Sequence, residues 1–383
     1  MYVIKNGTLY TMDQQGVIQA DLRVENGKIT EIGCNLSTEG AQVIDAAGKC
    51  VTPGFVDPHS HVGGFGGGGE QDLNESTNPL TPELDAYHGI NPNSDDFKVV
   101  IRQGITTSCL APGSANVIGG WVFAYKSAGK NRVVKHPVAL KGAMGINPKG
   151  VYSKKNQSPM TRMAIANVMR GYLRKVKEYM EKKEAAAGDK EKMPPYDLGL
   201  EHGIPVLKKE IPLKVHSYMH DMMTVLEIAR EFDIYITLDH ANGASDFYEE
   251  LQDPHVHGVI FGPTSNCLFG GEGGKLDYWC LKGLDDRGVP VTVMTDGPVT
   301  VMNMITFEMG EAVRWGMDPI KALGMVTSTS SKIIGVDDRV GTLTVGKDAD
   351  ILIWSKLPTL YTDAVLERVM IDGETVYTCG EDK

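Results

Sequence analysis

Long hydrophobic runs are missing from this 383-residue chain. No apolar stretch approaches the ~18 residues that a membrane-spanning helix needs. The N-terminus meets Lys5 and Asn6 before the apolar segment of a signal peptide can form. We therefore expect no membrane partner and a cytoplasmic location.

Basic residues are also scarce. Lys and Arg total 38 against 49 for Asp and Glu, so the formal net charge is −11, and no long basic block stands apart from this acidic background. Nonspecific binding to nucleic acid is therefore not expected. The six cysteines are scattered, without a CxxC pair or the dense spacing of a secreted scaffold. We expect them to be reduced and mostly to pack.

Strand-like patterns run through the chain, and their character changes twice. Residues 1–50 alternate short apolar stretches with turns, with Asn-Gly pairs at hairpin-like positions 6–7 and 26–27. Over residues 51–335, eight apolar runs alternate with helical patterns, which predicts a (β/α)₈ TIM barrel of the α/β class. Residues 336–383 return to short strands, so we expect both termini to form one small β domain.

The sharpest chemical signal is the segment DPHSH, which ends the first predicted barrel strand. Strand side chains alternate between faces, so His59 and His61 point the same way and can share a metal ion. An HxH pair alone is weak evidence. The same pattern, an ionisable residue where an apolar run ends, recurs at His216, His240 and Asp296.

The strand ends of a barrel converge at its active-site mouth, so these residues are candidate metal ligands. A borderline metal such as Zn²⁺ accepts imidazole and carboxylate ligands together, although other divalent transition metals fit as well. The alternative for Asp296 is a helix cap or turn residue ahead of Gly297-Pro298. The surrounding histidines favour the metal site. The glycine-rich stretch 63–69 directly after HxH is predicted to be an active-site loop.

Several motifs together resemble the amidohydrolase superfamily of metal-dependent hydrolases. They are VTPGFVDPHSH, the strand-end His216 and His240, TDGPVT around Asp296, and the tail GTLTVGKDADILIW. SANVIGG, MGINPKGVY and the tail are similar to imidazolonepropionase-related members. The likeness covers nearly the whole chain. It implies a barrel with metal at its mouth, flanked by a β-sandwich that both termini form.

Carried over residue by residue, the resemblance implies two metal positions. The more buried ion would be held by His59, His61 and Asp296. A second, more exposed ion would be held by His216 and His240.

Lys141 decides between one and two metals. It lies inside the apolar run PVALKGAM, where an unpaired ammonium is expensive to bury. The resemblance implies that Lys141 reacts with carbon dioxide and that its carbamate bridges both ions. The alternative is a register shifted by one residue, in which Lys141 reaches solvent or an acid. Imidazolonepropionases look mononuclear and lack this lysine, which argues against that specific activity.

Polar residues in loops and helix starts after the barrel strands are the candidate substrate-binding residues. They are Asn116, Asn147, Tyr152, Arg162 and His220. Arg162 is suited either to a substrate carboxylate or to an acid of the protein surface. His220 is either in a substrate loop or a surface histidine.

We therefore predict a metal-dependent amidohydrolase that cleaves an amide-type carbon–nitrogen bond in a cyclic amide, an N-acyl amino acid or a dipeptide. A metal-activated hydroxide would attack the carbonyl, with Asp296 as proton shuttle and His240 as the other catalytic candidate. The resemblance also favours a homo-oligomer.

Two alternatives remain open. One is a deaminase of an amino-heterocycle, which usually has one metal and a carboxylate acid beside the fifth-strand histidine. The segment HSYMHD, which begins at His216, lacks an HxxE pattern, which disfavours this alternative. The other is a noncatalytic, metal-free scaffold protein. Such relatives have lost the ligands that this chain retains.

Overall fold

Two eight-stranded sheets organise the protein, for which the computed structural model describes residues 1–65, 71–264 and 275–381. Five strands precede the barrel: β1 (Tyr2–Tyr10), β2 (Val17–Glu25), β3 (Lys28–Gly33), β4 (Gln42–Asp45) and β5 (Cys50–Pro53). The first three pair antiparallel, whereas β4 and β5 pair with β1 in parallel.

The two Asn-Gly pairs behave differently. Asn26 and Gly27 both have positive φ, 52° and 78°, and form the predicted two-residue hairpin between β2 and β3. Asn6 also has a positive φ of 61°, but it lies inside β1, where the register with β2 shifts. The hairpin predicted there is wrong. A bulge uses the same left-handed conformation to bend a continuous strand.

Eight strands form the barrel sheet, and each corresponds to a predicted apolar run. They are β6 (Phe55–Ser60), β7 (Ile105–Leu110), β8 (Ile118–Lys126), β9 (Val133–Ala143), β10 (Leu213–Ser217), β11 (Ile236–His240), β12 (Val256–Phe261) and β13 (Val291–Val293). They are hydrogen-bonded in sequence order. Just beyond the end of β13, the Asp296 amide donates to the carbonyl of His59 in β6 at 3.2 Å, so the sheet is nearly closed.

Strand β8 departs from the regular parallel pattern that the sequence predicts. It pairs antiparallel with both β7 and β9, whereas the other neighbouring barrel strands pair in parallel. The connections 111–117 and 127–132 are too short for a parallel crossover, which needs a dozen or more residues. This part of the barrel is therefore a β-meander.

Helices connect and cover the barrel strands. Within the described ranges they are α1 (Asp96–Ile101), α2 (Ile146–Lys154), α3 (Arg162–Ala186), α4 (Leu198–Leu207), α5 (Asp221–Phe232), α6 (Cys280–Asp285), α7 (Ile305–Arg314), α8 (Pro319–Met325) and α9 (Ser328–Ile333). Helix α3 is capped by Thr161, whose hydroxyl oxygen accepts from the Ala164 amide at 3.2 Å. None of the helices in the described ranges combines the length and apolar character needed to cross a membrane.

Three strands close the chain: β14 (Ile351–Trp354), β15 (Leu366–Ile371) and β16 (Glu374–Thr378). Strand β14 pairs antiparallel with β5, so the two termini share one sheet in the order β16-β15-β14-β5-β1-β2-β3. This agrees with the predicted union of both ends. The sandwich arrangement and the domain limits 1–50, 51–335 and 336–383 stay predictions.

A buried ion cluster joins the two sheets. Lys126 ends barrel strand β8 and is fully buried. Its Nζ lies 2.8 Å from Asp348 Oδ2 and 3.0 Å from Asp350 Oδ1, and it also contacts Asp372. Asp348 and Asp350 belong to the KDAD tail motif. This part of the tail therefore fixes the barrel to the terminal sheet.

Candidate active site

Three of the predicted metal ligands meet at the mouth of the barrel. His59 Nε2 lies 3.4 Å from Asp296 Oδ1, and His61 Nε2 lies 3.3 Å from the same oxygen. One ligand atom from each residue falls within 4.8 Å of the others, and all three side chains are buried. This spacing allows a single ion to contact all three.

The imidazoles are oriented by hydrogen bonds from Nδ1. His59 donates to Asp239 Oδ2 at 2.6 Å, His61 to the Ala111 carbonyl at 2.8 Å, and His240 to the Gly262 carbonyl at 2.9 Å. An imidazole that donates from Nδ1 keeps a lone pair on Nε2 for a metal. In the part of the chain that the structure describes, His59 Nε2 is buried without a hydrogen-bond partner, which fits a ligand atom.

His216 and His240 form the second predicted pair. Their ring centroids are 4.1 Å apart, and the His240 ring lies 5.3 Å from that of His59. Asn147 Nδ2 approaches His216 Nε2 at 3.4 Å. The other nitrogen of His216, Nδ1, is buried and has no hydrogen-bond partner among the described residues. Nδ1 is thus the His216 atom available to a metal.

Burial sets the charge of the cluster. It lowers the pKa of His61, and it lowers the pKa of His240 to about 3. Burial, followed by the neighbouring His240, holds the pKa of His216 well below its usual value. Burial alone would raise the pKa of Asp296, but the adjacent imidazoles of His59 and His61 bring that pKa well below its usual value. Neutral imidazoles and an ionised carboxylate are the states that bind a divalent cation.

Two buried lysines lie side by side, Lys141 on β9 and Lys214 on β10. Lys214 Nζ pairs with Asp239 Oδ2 at 3.0 Å. Lys141 Nζ instead donates to Ser114 Oγ at 3.1 Å and to the Gly142 carbonyl at 2.8 Å, and no ion pair of Lys141 occurs within the described ranges. Burial lowers the pKa of Lys141 to about 8. Lys141 is therefore shielded from solvent, and among the described residues it reaches no acid.

Asp239 and Lys214 were missed by the sequence analysis. Together with His59 they form a buried chain in which Asp239 contacts both neighbours. Lys214 precedes His216 by two positions on one strand, so period-two alternation is a signal that could have found it. Asp239 directly precedes His240, and alternation places it on the opposite face. The positive φ of 69° at His240 interrupts that alternation at the strand end.

Asp57 is a second missed residue. Its carboxylate accepts from Thr295 Oγ1 at 2.5 Å and from the Thr295 amide at 3.3 Å. It also accepts from the His59 amide at 3.3 Å. Burial raises the pKa of Asp57 to about 6. Asp57 thus joins the strand that bears His59 to the residue before Asp296.

Two of the predicted substrate-binding residues bond to each other. The Tyr152 hydroxyl donates to Asn116 Oδ1 at 2.5 Å, and Asn116 Nδ2 donates to Thr81 Oγ1 at 2.8 Å and to the Glu75 carbonyl at 2.6 Å. Both side chains are buried. Their hydrogen bonds support the loop before α1, and their contact with substrate stays a prediction.

The other three predicted substrate-binding residues do not share this hydrogen-bond network. Asn147 contacts His216, as described above. Arg162 Nε pairs with Asp221 Oδ1 at 2.7 Å, and Asp221 is a buried acid rather than a surface one. His220 is exposed and directly precedes α5.

The predicted loop 63–69 is described only to residue 65, and its remaining residues lie outside the described ranges.

Tyr218 was also missed. Its ring lies 4.8 Å from His216 and 5.3 Å from His240, measured between centroids. Tyr218 follows His216 by two positions, so alternation was again an available signal. Its phenol ring adds an aromatic wall beside the second pair of histidines.

Comparison with known proteins identifies the family of this chain. Residues 280–376 and 42–96 each match a family described as Amidohydrolase family. The crystal structure of an amidohydrolase from Thermotoga maritima MSB8 is 35% identical, with a TM-score of 0.93; the match covers 99% of this chain and 100% of that one.

Curated relatives match along most of this chain. Amidohydrolase tasK of Hapsidospora irregularis is 27% identical over 92% of this chain, which spans only 39% of that protein. Imidazolonepropionase of Bacillus velezensis is 26% identical over 97% of this chain and 95% of its own length. Because the Thermotoga protein matches from end to end at 35% identity, the chain belongs to the amidohydrolase family, hydrolases that act on carbon–nitrogen bonds.

Proposed function

We propose that this protein is a metal-dependent amidohydrolase that cleaves an amide-type carbon–nitrogen bond of a small molecule. The substrate classes we propose are cyclic amides, N-acyl amino acids and dipeptides. The observation that carries the proposal is the buried group of His59, His61 and Asp296, whose ligand atoms lie within 4.8 Å of one another. Zn²⁺ is the proposed metal, since it accepts imidazole and carboxylate ligands together.

A second metal position is supported by Lys141. His216 and His240 lie beside the first group, and the buried amine of Lys141 has no ion pair in the part of the chain that is described. Addition of this amine to carbon dioxide forms a nitrogen–carbon bond and releases one proton. The resulting carbamate carries the negative charge that two neighbouring cations require, as a carboxylate does.

When bound, the metal supplies Lewis acidity that activates water and polarises the substrate carbonyl. Asp296 accepts the proton of the attacking water and delivers it to the departing nitrogen. The imidazoles of His59 and His61, 3.4 and 3.3 Å from Asp296 Oδ1, favour the ionised form of this carboxylate. His240 contributes an oriented Nε2, because its Nδ1 is committed to the Gly262 carbonyl.

Neither alternative has comparable support. Met219 stands three residues after His216, where the HxxE pattern of a deaminase has its glutamate. A scaffold protein that has lost its metals does not need the buried, neutral histidines found here.

The test is a substrate screen on metal-loaded protein. The panel contains hydantoin-like rings, lactams, N-acyl amino acids, dipeptides and amino-heterocycles, and assays follow both new carboxylate and free ammonia. We expect turnover of a cyclic or acyclic amide that disappears with Asp296→Ala. Ammonia release from an amino-heterocycle as the main activity, or a purified protein that neither contains nor takes up metal, would contradict the proposal.

A further inference from the structure

Glu308 reaches from helix α7 to the turn that follows barrel strand β12. Its side chain is fully buried, and its Oε1 accepts a hydrogen bond from the Thr264 amide at 2.9 Å. Two residues earlier in the same turn, the Gly262 carbonyl accepts from His240 Nδ1 at 2.9 Å. The Gly262 amide also donates to the His240 carbonyl at 3.1 Å. A single short turn thus connects Glu308 to His240.

The turn needs external support. Gly262 has a φ of 115°, in a region that residues with a side chain rarely adopt. A Cβ on Gly262 would lie 3.3 Å from the Thr264 amide nitrogen and 3.7 Å from Glu308 Oε2, so the carboxyl group packs directly against the turn. The Thr264 amide has this carboxyl oxygen as its acceptor, and an apolar side chain at position 308 would leave it unsatisfied in the interior.

A buried acid at this position is costly and has no ion pair to explain it within the described part of the chain. Burial raises the pKa of Glu308 well above its usual value, and the nearby carboxylates of Asp57 and Asp296 raise it further. This environment favours the uncharged form of the Glu308 carboxyl group. Its carbonyl oxygen is what the turn uses, and a glutamine amide offers the same acceptor in the same shape.

We propose that Glu308 is a positioning residue for the metal site: by holding the Thr264 amide it fixes the Gly262 carbonyl, which in turn sets the ring orientation and tautomer of His240. This inference rests on the proposed function, because it takes His240 as a metal ligand. Glu308 itself contacts neither metal nor substrate. Removal of a group that bonds directly to a metal-ligating side chain typically weakens metal binding by about 10–100-fold, and Glu308 acts one contact further out.

The experiment measures metal affinity by chelator competition, with no substrate needed. Glu308→Leu removes the acceptor, Glu308→Asp retracts it by one methylene, and Glu308→Gln retains it. The matched control is Glu311→Leu, one turn further along α7, where the side chain is also mostly buried but pairs with Arg314 at 2.9 Å. His240→Ala identifies the metal equivalent that depends on His240.

Glu308→Leu and Glu308→Asp are expected to lose about 10-fold, the lower end of that range, in affinity for the equivalent that His240→Ala abolishes. Glu308→Gln and Glu311→Leu are expected to bind like the wild type. In cobalt-substituted proteins, the visible spectra of Glu308→Leu and Glu308→Asp should differ from that of the wild type, whereas those of Glu308→Gln and Glu311→Leu should match it. If Glu308→Leu does not fold, the comparison of the Asp and Gln variants still decides the matter.

Three results would overturn the inference while leaving the hydrolase intact. They are unchanged affinity in both Glu308→Leu and Glu308→Asp, an equal loss in Glu308→Gln, and a wild-type protein whose metal binding does not depend on His240. A wild-type protein that binds no metal at all would instead refute the proposed function.

Discussion

Asp57 and Thr295 hold the first and last barrel strands together where both lead into the candidate metal ligands. The Thr295 hydroxyl donates to Asp57 Oδ2 at 2.5 Å, and both side chains are buried. Asp57 lies two residues before His59, and Thr295 directly precedes Asp296. A displacement of either partner therefore moves ligands on both sides of the proposed ion.

The first prediction concerns this contact. Asp57→Ala leaves the Thr295 hydroxyl and amide without their buried acceptor, so the free energy of unfolding should fall by about 1–3 kcal/mol. Denaturant unfolding of the metal-free protein measures this change. Thr107→Val is the matched control, because the buried Thr107 hydroxyl has no hydrogen-bond partner among the described residues. Equal effects of the two substitutions would show that the Asp57 contact contributes nothing specific.

The second prediction separates the two buried lysines. Lys141→Ala should lose the second metal equivalent, and a short carboxylic acid should partly restore it by taking the place of the carbamate. Metal content by elemental analysis is the measurement. A wild-type protein with a single equivalent and an unmodified Lys141 amine would establish a mononuclear site.

Lys214→Met should behave differently from Lys141→Ala. It leaves the Asp239 carboxylate buried without its lysine partner, and breaking a buried pair in this way costs about 3–5 kcal/mol of stability. We expect a marked fall in the melting temperature of the metal-free protein, which added carboxylic acid does not reverse. A Lys214→Met protein as stable as the wild type would mean that this ion pair is dispensable.

The third prediction separates metal binding from turnover. Asp296→Asn keeps the shape and one ligating oxygen but loses the basic carboxylate, so metal content should survive while kcat falls by about 10²–10⁴-fold. His220→Ala is the comparison, because His220 is exposed outside the ligand cluster. If Asp296→Asn retains both metal and near-normal turnover, the proton shuttle is another group, and His220 is the next candidate.

The fourth prediction concerns pH and the metal-free protein. Burial lowers the pKa of His240 from an ordinary 6.5 to about 3. Below pH 6.5, His240 is therefore protonated in the unfolded chain but stays neutral in the folded chain. The contribution of neutral His240 to the free energy of unfolding is fully present above about pH 6.5. It should be lost as the pH falls toward 3. Asp57, whose pKa is raised to about 6, has the opposite effect: its protonation increases the free energy of unfolding as the pH falls from about 6 to 4.

Comparison with His240→Asn isolates the histidine contribution, because Asp57 is present in both proteins. Chemical unfolding at several pH values between 5 and 8 should give a shallower loss of stability in the variant. Identical slopes would show that His240 is not held neutral by the fold.

Much of the proposed site could be predicted from the sequence, for local reasons. Strand ends are marked where apolar runs give way to loops, and side chains two positions apart share a face. These two rules suffice to place His59, His61, His216 and His240 at the barrel mouth. The partners of these residues are not local: Asp239 lies 180 positions from His59.

The sequence by itself thus determined the eight barrel strands and the candidate ligands, because both depend on short-range periodicity. Only the tertiary structure decided the antiparallel placement of β8, the pairing of Lys214 rather than Lys141 with Asp239, and the contact of Glu308 with the turn beside His240. Each depends on which distant segments become neighbours in the folded chain. Burial then fixes the protonation states, since it removes the water that would otherwise stabilise the charged forms.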